Sequence, residues 1–317
     1  MKKRLMSALG MIAILILMFV SKIWTPYTFD ISIGVIMIIA GYEMSNMLLK
    51  MGMYNYSVLA GVFPIVLYSV CLALILKQIN IIIIFASLFI CVVGVAALTF
   101  VVSLIFKKWL SSDLKIRGLQ ISYPNFALRK SIYSMITFLY PAVFLMFLIF
   151  INHFGDLGYC LGGIDKFQGV DISFIALVVA FLIPIISDSF AMLFGMLFKG
   201  PKLCPKTSPN KTVSGFVSGV AMTTIVMVAL FFVLTSFNDI KTAFEACQIG
   251  LVHFAMIGFF GSLVSTAGDI FESFIKRRAM VKDSGNIIPG HGGLLDRFDS
   301  HIFNAPFVFF FFFVLLI

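Results

Sequence analysis

The sequence predicts an all-α polytopic integral membrane protein, and three observations carry that expectation: its composition, the spacing of its apolar runs and the distribution of its basic residues. Of 317 residues, 61% are hydrophobic and 12% charged, with a mean hydropathy of +1.09, whereas soluble domains use about 45–50% apolar residues. A spanning helix needs about 20 apolar residues, and runs of that kind follow one another with short polar breaks along nearly the whole chain. No room is left for a separate soluble domain, so residues 1–317 read as one membrane domain.

The first run, Leu5 to Trp24, follows Lys2, Lys3 and Arg4 and resembles the start of a signal peptide. It lacks a small-residue cleavage site and is long enough to span, so it is expected to be a helix. Five further spans are expected at Ile31–Leu49, Val58–Leu76, Ile79–Phe106, Ser131–Asn152 and Ile172–Phe198. Three more follow at Thr212–Phe237, Cys247–Ile275 and His301–Ile317, making about nine in all. No internal repeat of the inverted-transporter kind is visible. The five Phe from Phe309 to Phe313 are expected to face lipid or neighbouring helices.

The basic residues test that count independently, because cytoplasmic loops retain Lys and Arg. One side collects Lys2, Lys3, Arg4, Lys50, the clusters at 107–130 and 199–211, and Lys276, Arg277, Arg278, Lys282 and Arg297. Only Lys22, Lys77, Lys166 and Lys241 of the 23 fall on the other. Adding or losing one span would scatter this bias, so the N-terminus is expected in the cytoplasm and the C-terminus outside.

The formal charge of +9 comes without a basic soluble module, which points to anionic headgroups or a phosphorylated substrate and away from nucleic acid. The five Cys are scattered without metal-ligand spacing, so neither structural zinc nor a disulfide framework is expected.

Ionisable groups at bilayer depth cost about 2.5–3.5 kcal/mol on insertion scales and are functional candidates by default. Glu43, Asp188, Asp269 and Glu272 are the cases here. At about 1.5 Å per residue, Glu43 and Asp269 lie roughly 10 Å, and Asp188 roughly 16 Å, from the nearest flanking Lys, all toward the basic side. Asp269, Glu272, Ser273 and Lys276 recur at i, i+3, i+4 and i+7 and share one helix face. Glu272 with Lys276 reads equally as a packing ion pair. Asp269 follows Gly268, a small residue that admits close approach, and such a carboxylate suits magnesium, which commonly takes one or two protein carboxylates plus substrate phosphates.

Between the last two spans lies SFIKRRAMVKDSGNIIPGHGGLLDRFDS, residues 273–300. Pro289, Gly290, Gly292 and Gly293 mark a non-helical turn in which backbone N–H groups can converge on an anion. With its flanks the turn becomes specific: Ser273, Lys276, Arg277, Lys282, Asp283, Gly285, Pro289, Gly290, His291, Gly292, Gly293, Asp296, Arg297 and Asp299 fall at fixed spacings, preceded by Gly268, Asp269, Phe271 and Glu272.

This pattern resembles the signature of the phosphatidate cytidylyltransferases, or CDP-diacylglycerol synthases. Upstream, SDSFAMLFG around Asp188 and SPNKTVSG from Ser208 to Gly215 are similar to two further blocks of that family, in the same order. Ser189, Met192, Asn210 and Ser214 depart from its pattern. The resemblance implies transfer of a cytidylyl group from CTP to phosphatidic acid, with magnesium and possible use of a second cation, in a homodimer. It implies Asp269 and Asp296 as the metal pair and active-site roles for Lys282, Arg297 and His291. Ser208, Lys211, Lys276 and Arg277 fall on the substrate side, with Lys211, Lys282 and Arg297 contacting phosphates. Asp188 either lines the same cavity or is a buried structural carboxylate; His153, His253 and His301 have no supporting pattern and read as structural.

Three rival classes share parts of this inventory: an ion-coupled transporter, a CTP-dependent lipid kinase, and a silent relative used for assembly. No Walker A, Rossmann, H-E-x-x-H or nucleophile-elbow pattern occurs.

Overall fold

The computed structural model describes residues 2–77, 79–106, 123–160, 170–288, 290 and 292–316. His291, Pro289 and the expected basic residues Lys107, Lys108, Lys115, Arg117 and Lys166 lie outside the described residues.

A backbone in lipid must satisfy its polar groups within its own segment, so each apolar run closes into a helix. The first four are α1 (Lys2–Trp24), α2 (Pro26–Lys50), α3 (Ser57–Leu76) and α4 (Ile81–Ile105). The fifth crossing is composite: α5 (Tyr123–Thr137), a π-helical stretch Phe138–Val143 around Pro141, and α6 (Phe144–Asn152). A short α7 (Phe154–Cys160) precedes α8 (Ile172–Phe198). A hairpin of β1 (Lys202–Cys204) and β2 (Ser208–Thr212) then leads to α9 (Val213–Thr235), the short α10 (Asn238–Ala246), α11 (Leu251–Arg278) and α12 (Leu295–Leu316). Among the described residues, eight helices are long and apolar enough to cross a membrane, and the apolar part of α1, Gly10–Trp24, adds a shorter one. The chain is an all-α multi-pass membrane protein.

Three boundaries differ from the expectation in ways that matter. The fifth span, expected from Ser131, begins at Tyr123; the seventh starts at Val213 as expected, and the stretch before it, 202–212, pairs as an antiparallel hairpin, Lys202 opposite Thr212 and Cys204 opposite Ser208. Cys247 caps α10, and the following span begins at Leu251 and continues to Arg278. The last span begins at Leu295, so Asp296, Arg297 and Asp299 sit on the opening turns of a helix.

The core forms around α6, buried from Leu145 to Asn152, as expected of a helix that is hydrophobic all round. Of the Phe run, Phe309 and Phe312 are buried while Phe310 is half exposed; Phe309 packs against Phe147, Phe150 and Phe154. Small residues bring α8 and α9 together: a Cβ at Gly215 would strike Ala191 O, and one at Gly219 would lie 2.9 Å from Ser187 O.

The two ends of the bundle have separate polar networks. At one, Lys22 pairs with Asp171 at 2.8 Å. There the fully buried Asp30 accepts from Asn152 Nδ2 at 2.9 Å and Tyr68 Oη at 3.1 Å and faces His153 Nε2 at 2.8 Å. His153 Nδ1 meets Asp156 at 2.8 Å. The other end holds the hairpin, the end of α11 and the start of α12.

Candidate functional site

The site is built where α8, α11 and α12 converge under the hairpin. Lys199 closes α8 with left-handed backbone, φ 44°, and the chain turns back through β1 and β2. Thr212 then caps α9, its Oγ1 accepting from Gly215 N at 3.1 Å. This return delivers Lys211 to Asp269 on α11, with which it forms an ion pair. Gly268 permits the next contact: a Cβ there would lie 2.7 Å from Asp299 O of α12. The close approach read from the Gly268–Asp269 pair is thus made to α12.

Asp296 and Asp299 are one turn apart on α12, spaced to share a face. Together with Asp188, Asp269, Lys211 and Arg297 they line one cavity of about 370 Å³. Ser208, Asn210, Thr212 and Thr266 supply further polar wall, and Met192 and Phe216 apolar wall. Asp188 Oδ2 accepts from Ser300 Oγ at 3.2 Å, tying α8 to α12. Acids outnumber bases in this wall, an environment that receives a cation more readily than an anion.

Asp296 also organises the approach to its own helix. Its Oδ2 accepts from Ser284 N at 2.9 Å and Gly293 N at 2.8 Å, and its Oδ1 from Lys276 Nζ at 2.8 Å. Lys276 is ion-paired on its other side with the fully buried Glu272, the packing pair anticipated from their spacing. Between these anchors the turn closes through paired hydrogen bonds of Ile288 and Gly292, 2.9 and 3.2 Å. Gly290 and Gly292 adopt φ of 80° and 91°, conformations that favour Gly.

The residues expected at the site therefore divide. Asp188, Ser208, Lys211, Asp269, Asp296 and Arg297 come together. Lys276 lies between Glu272 and Asp296 and does not line the cavity. Arg277 is exposed and donates from Nε to Thr207 O at 3.1 Å in the hairpin turn. Lys282 is exposed on the following loop, and His291 lies outside the described residues. Of the departures, Met192 and Asn210 stand in the wall, while Ser214 Oγ accepts from Gly200 N at 3.2 Å and braces the hairpin. Of the histidines read as structural, His253 Nδ1 accepts from Gly250 N at 3.0 Å, and His301 lies against Phe181 and Phe298.

Two residues gained a place that sequence reasoning had not assigned. Asp299 was visible in the pattern, three residues after Asp296, and the helical period would have put both on one face. Asn210 gave no signal, because its position depends on the unexpected hairpin.

The donor set suits a hard divalent cation: all the acidic groups are carboxylates, and oxygen ligands are what magnesium takes. Among the described residues, no group of three or more His, Cys, Asp or Glu is arranged to hold a metal ion. A carboxylate offers about four lone-pair sites, and the three donors on Asp296 leave one.

Comparison with known proteins extends beyond this cavity. The Cytidylyltransferase family matches residues 2–315. A phosphatidate cytidylyltransferase of Rickettsia felis is 46% identical over 123 residues, 39% of this chain and 52% of that protein. Those of Staphylococcus haemolyticus and Bacillus subtilis are 44% and 40% identical over 128 and 124 residues, covering 45% and 42% of their lengths. The matched region spans about half the length of these curated relatives. With a family match that takes in every helix from α1 to α12, and with its acidic cavity built from three of them, the chain belongs to the cytidylyltransferase family.

Proposed function

We propose that the protein is a phosphatidate cytidylyltransferase, transferring CMP from CTP to phosphatidic acid to give CDP-diacylglycerol and pyrophosphate. The cavity carries this reading: carboxylates from three helices face Lys211 and Arg297 at one end of a membrane bundle, where a soluble nucleotide and a lipid headgroup can meet. A phosphate oxygen of phosphatidate attacks the α-phosphorus of CTP. A P–O bond forms there, and the bond to the β-phosphate bridging oxygen breaks, pyrophosphate leaving with the electron pair.

The nucleophile is already anionic, so the task of the residues is to bring like charges together and hold the leaving group. Asp269 and Asp296 would hold magnesium, with Asp188 and Asp299 in the same wall for a second cation. Bound there, the ion neutralises phosphate charge and polarises the phosphoryl oxygens. Lys211 offers a point charge and Arg297 a planar fork to phosphate oxygens. Ser208 adds a hydroxyl. Arg277 and Lys282 supply positive charge at the same end for the lipid phosphate, the charge of Lys276 being taken up by Glu272 and Asp296, and His291 supplies a proton or hydrogen bond near the leaving pyrophosphate. The basic-residue bias supports a cytoplasmic location for this end, with the N-terminus there and the C-terminus outside. The working unit is a homodimer.

The test is conversion of labelled CTP and phosphatidate in mixed micelles with magnesium by the purified protein. We expect labelled CDP-diacylglycerol, and a loss of about 100-fold or more in Asp269→Ala and in Asp296→Ala, the scale seen when electrostatic stabilisation is removed. Folded protein that makes no product overturns the reaction; unchanged turnover in both variants overturns the metal assignment.

A further inference from the structure

Glu43 is a buried acid, 3% exposed, in the first half of the chain, and the reaction as described gives it no task. Its carboxyl group reaches across to the far end of the sequence. Leu294 N donates to Oε1 at 3.1 Å, and Leu295 N and Ser284 Oγ donate to Oε2 at 2.8 and 3.0 Å. The N–H groups at a helix start have no intrahelical acceptor, so α2 caps α12 immediately before Asp296. Ser284 is held twice, its hydroxyl by Glu43 and its N–H by Asp296.

The glycines of the loop record the same contact. A Cβ at Gly285 would meet the Glu43 carboxyl group, its three nearest atoms being Oε1, Cδ at 2.8 Å and Cγ at 3.2 Å of that residue. A Cβ at Gly293 would lie 2.5 Å from Glu43 Oε2. Gly285 and Gly293 thus leave the room that the Glu43 carboxyl group and Ser284 occupy. Asp296 follows directly, its oxygens accepting from Ser284 N and Gly293 N of the same turn and from Lys276 Nζ.

We propose that Glu43 is a positioning residue: it fixes Ser284 and the chain at Leu294 and Leu295, and so sets Asp296 toward the cavity for cation binding. This rests on the cytidylyl-transfer reading. Glu43→Gln keeps one carbonyl oxygen and turns the other into a donor facing donors. In this variant we expect amide exchange at Leu294 and Leu295 to accelerate at least tenfold, and the magnesium concentration for half-maximal activity to rise at least fivefold. A merely structural role would reduce the amount of active protein without moving that concentration.

Gly285→Ala with Glu43→Asp supplies a second test, since the shorter acid vacates the space the new methyl needs. Each single variant should lose about tenfold in activity, and the double should be no worse than either. Unchanged magnesium half-saturation in Glu43→Gln overturns the positioning role, as do independent losses multiplying to about 100-fold in the double. Should the unaltered protein make no product, the reaction reading falls. Amide exchange then decides alone, and unaltered exchange at Leu294 and Leu295 overturns the clamp.

Discussion

Replacing Lys276 by Met removes one positive charge and keeps most of the stem that packs around it. The Lys276 side chain is 12% exposed and lies between Glu272, 0% exposed, and Asp296, 6% exposed. Solvent cannot take over from the lost ammonium at Glu272, and no hydrogen bond beyond the ion pair reaches the Glu272 carboxyl oxygens among the described residues. Breaking a buried pair on one side costs about 3–5 kcal/mol, against about 0–1 kcal/mol for an exposed pair. The burial of all three groups places Lys276→Met in the first range. Glu272→Gln added to Lys276→Met removes the stranded charge and should recover most of the loss, because Asp296 keeps its two backbone donors. Reversible unfolding of the purified protein in mixed detergent, followed by circular dichroism, measures both. A Lys276→Met protein within about 1 kcal/mol of the unaltered one, or a double variant no better than the single, refutes the reasoning.

Three further outcomes are expected. Gly268→Val places a side chain against Asp299 O, where even a Cβ would sit 2.7 Å away; overpacking of this kind costs about 1–3 kcal/mol, and the displaced α12 should lower turnover more than stability. Lys211→Met should raise the KM for CTP about 10–100-fold, the equivalent of about 1.5–3 kcal/mol for a hydrogen bond to a charged group, as initial rates over a CTP series would show. His153 at the opposite end should make stability depend on pH: burial pushes its pKa down, but hydrogen bonds to Asp156 and Asp30 raise it from 6.5 to about 9. Its contribution is therefore fully present below pH 6.5 and lost as pH rises through 9; unfolding measured from pH 6 to 9.5 should show that slope, and His153→Gln should flatten it.

Much of the architecture was legible because membrane insertion is decided segment by segment. Each apolar run carries its own free energy of transfer, so hydropathy found every span, although the starts of the fifth, at Tyr123 and expected at Ser131, and of the last, at Leu295 and expected at His301, lay further off. The errors fell where polar chain meets bilayer. The stretch 202–212, with Pro201, Pro205 and Pro209 in or beside it, reads as loop, yet it pairs into the hairpin that carries Lys211 to Asp269. Asp296 to Asp299 read as loop because they are charged, yet capping by Glu43 from another helix lets α12 begin before them.

The sequence by itself determined the class of the molecule, the order of its spans, and which acids and bases were candidates, since composition, hydropathy and local spacing are properties of the chain alone. Only the tertiary structure decided which of them meet. Asp188, Asp269 and Asp296 share a cavity while Arg277 turns to Thr207 and Lys276 is enclosed by acids. The contact that sets the loop joins Glu43 to Ser284, 241 residues away. Such pairings follow from how helix faces pack, and helix packing answers to small residues and buried hydrogen bonds that leave no periodic trace in the sequence.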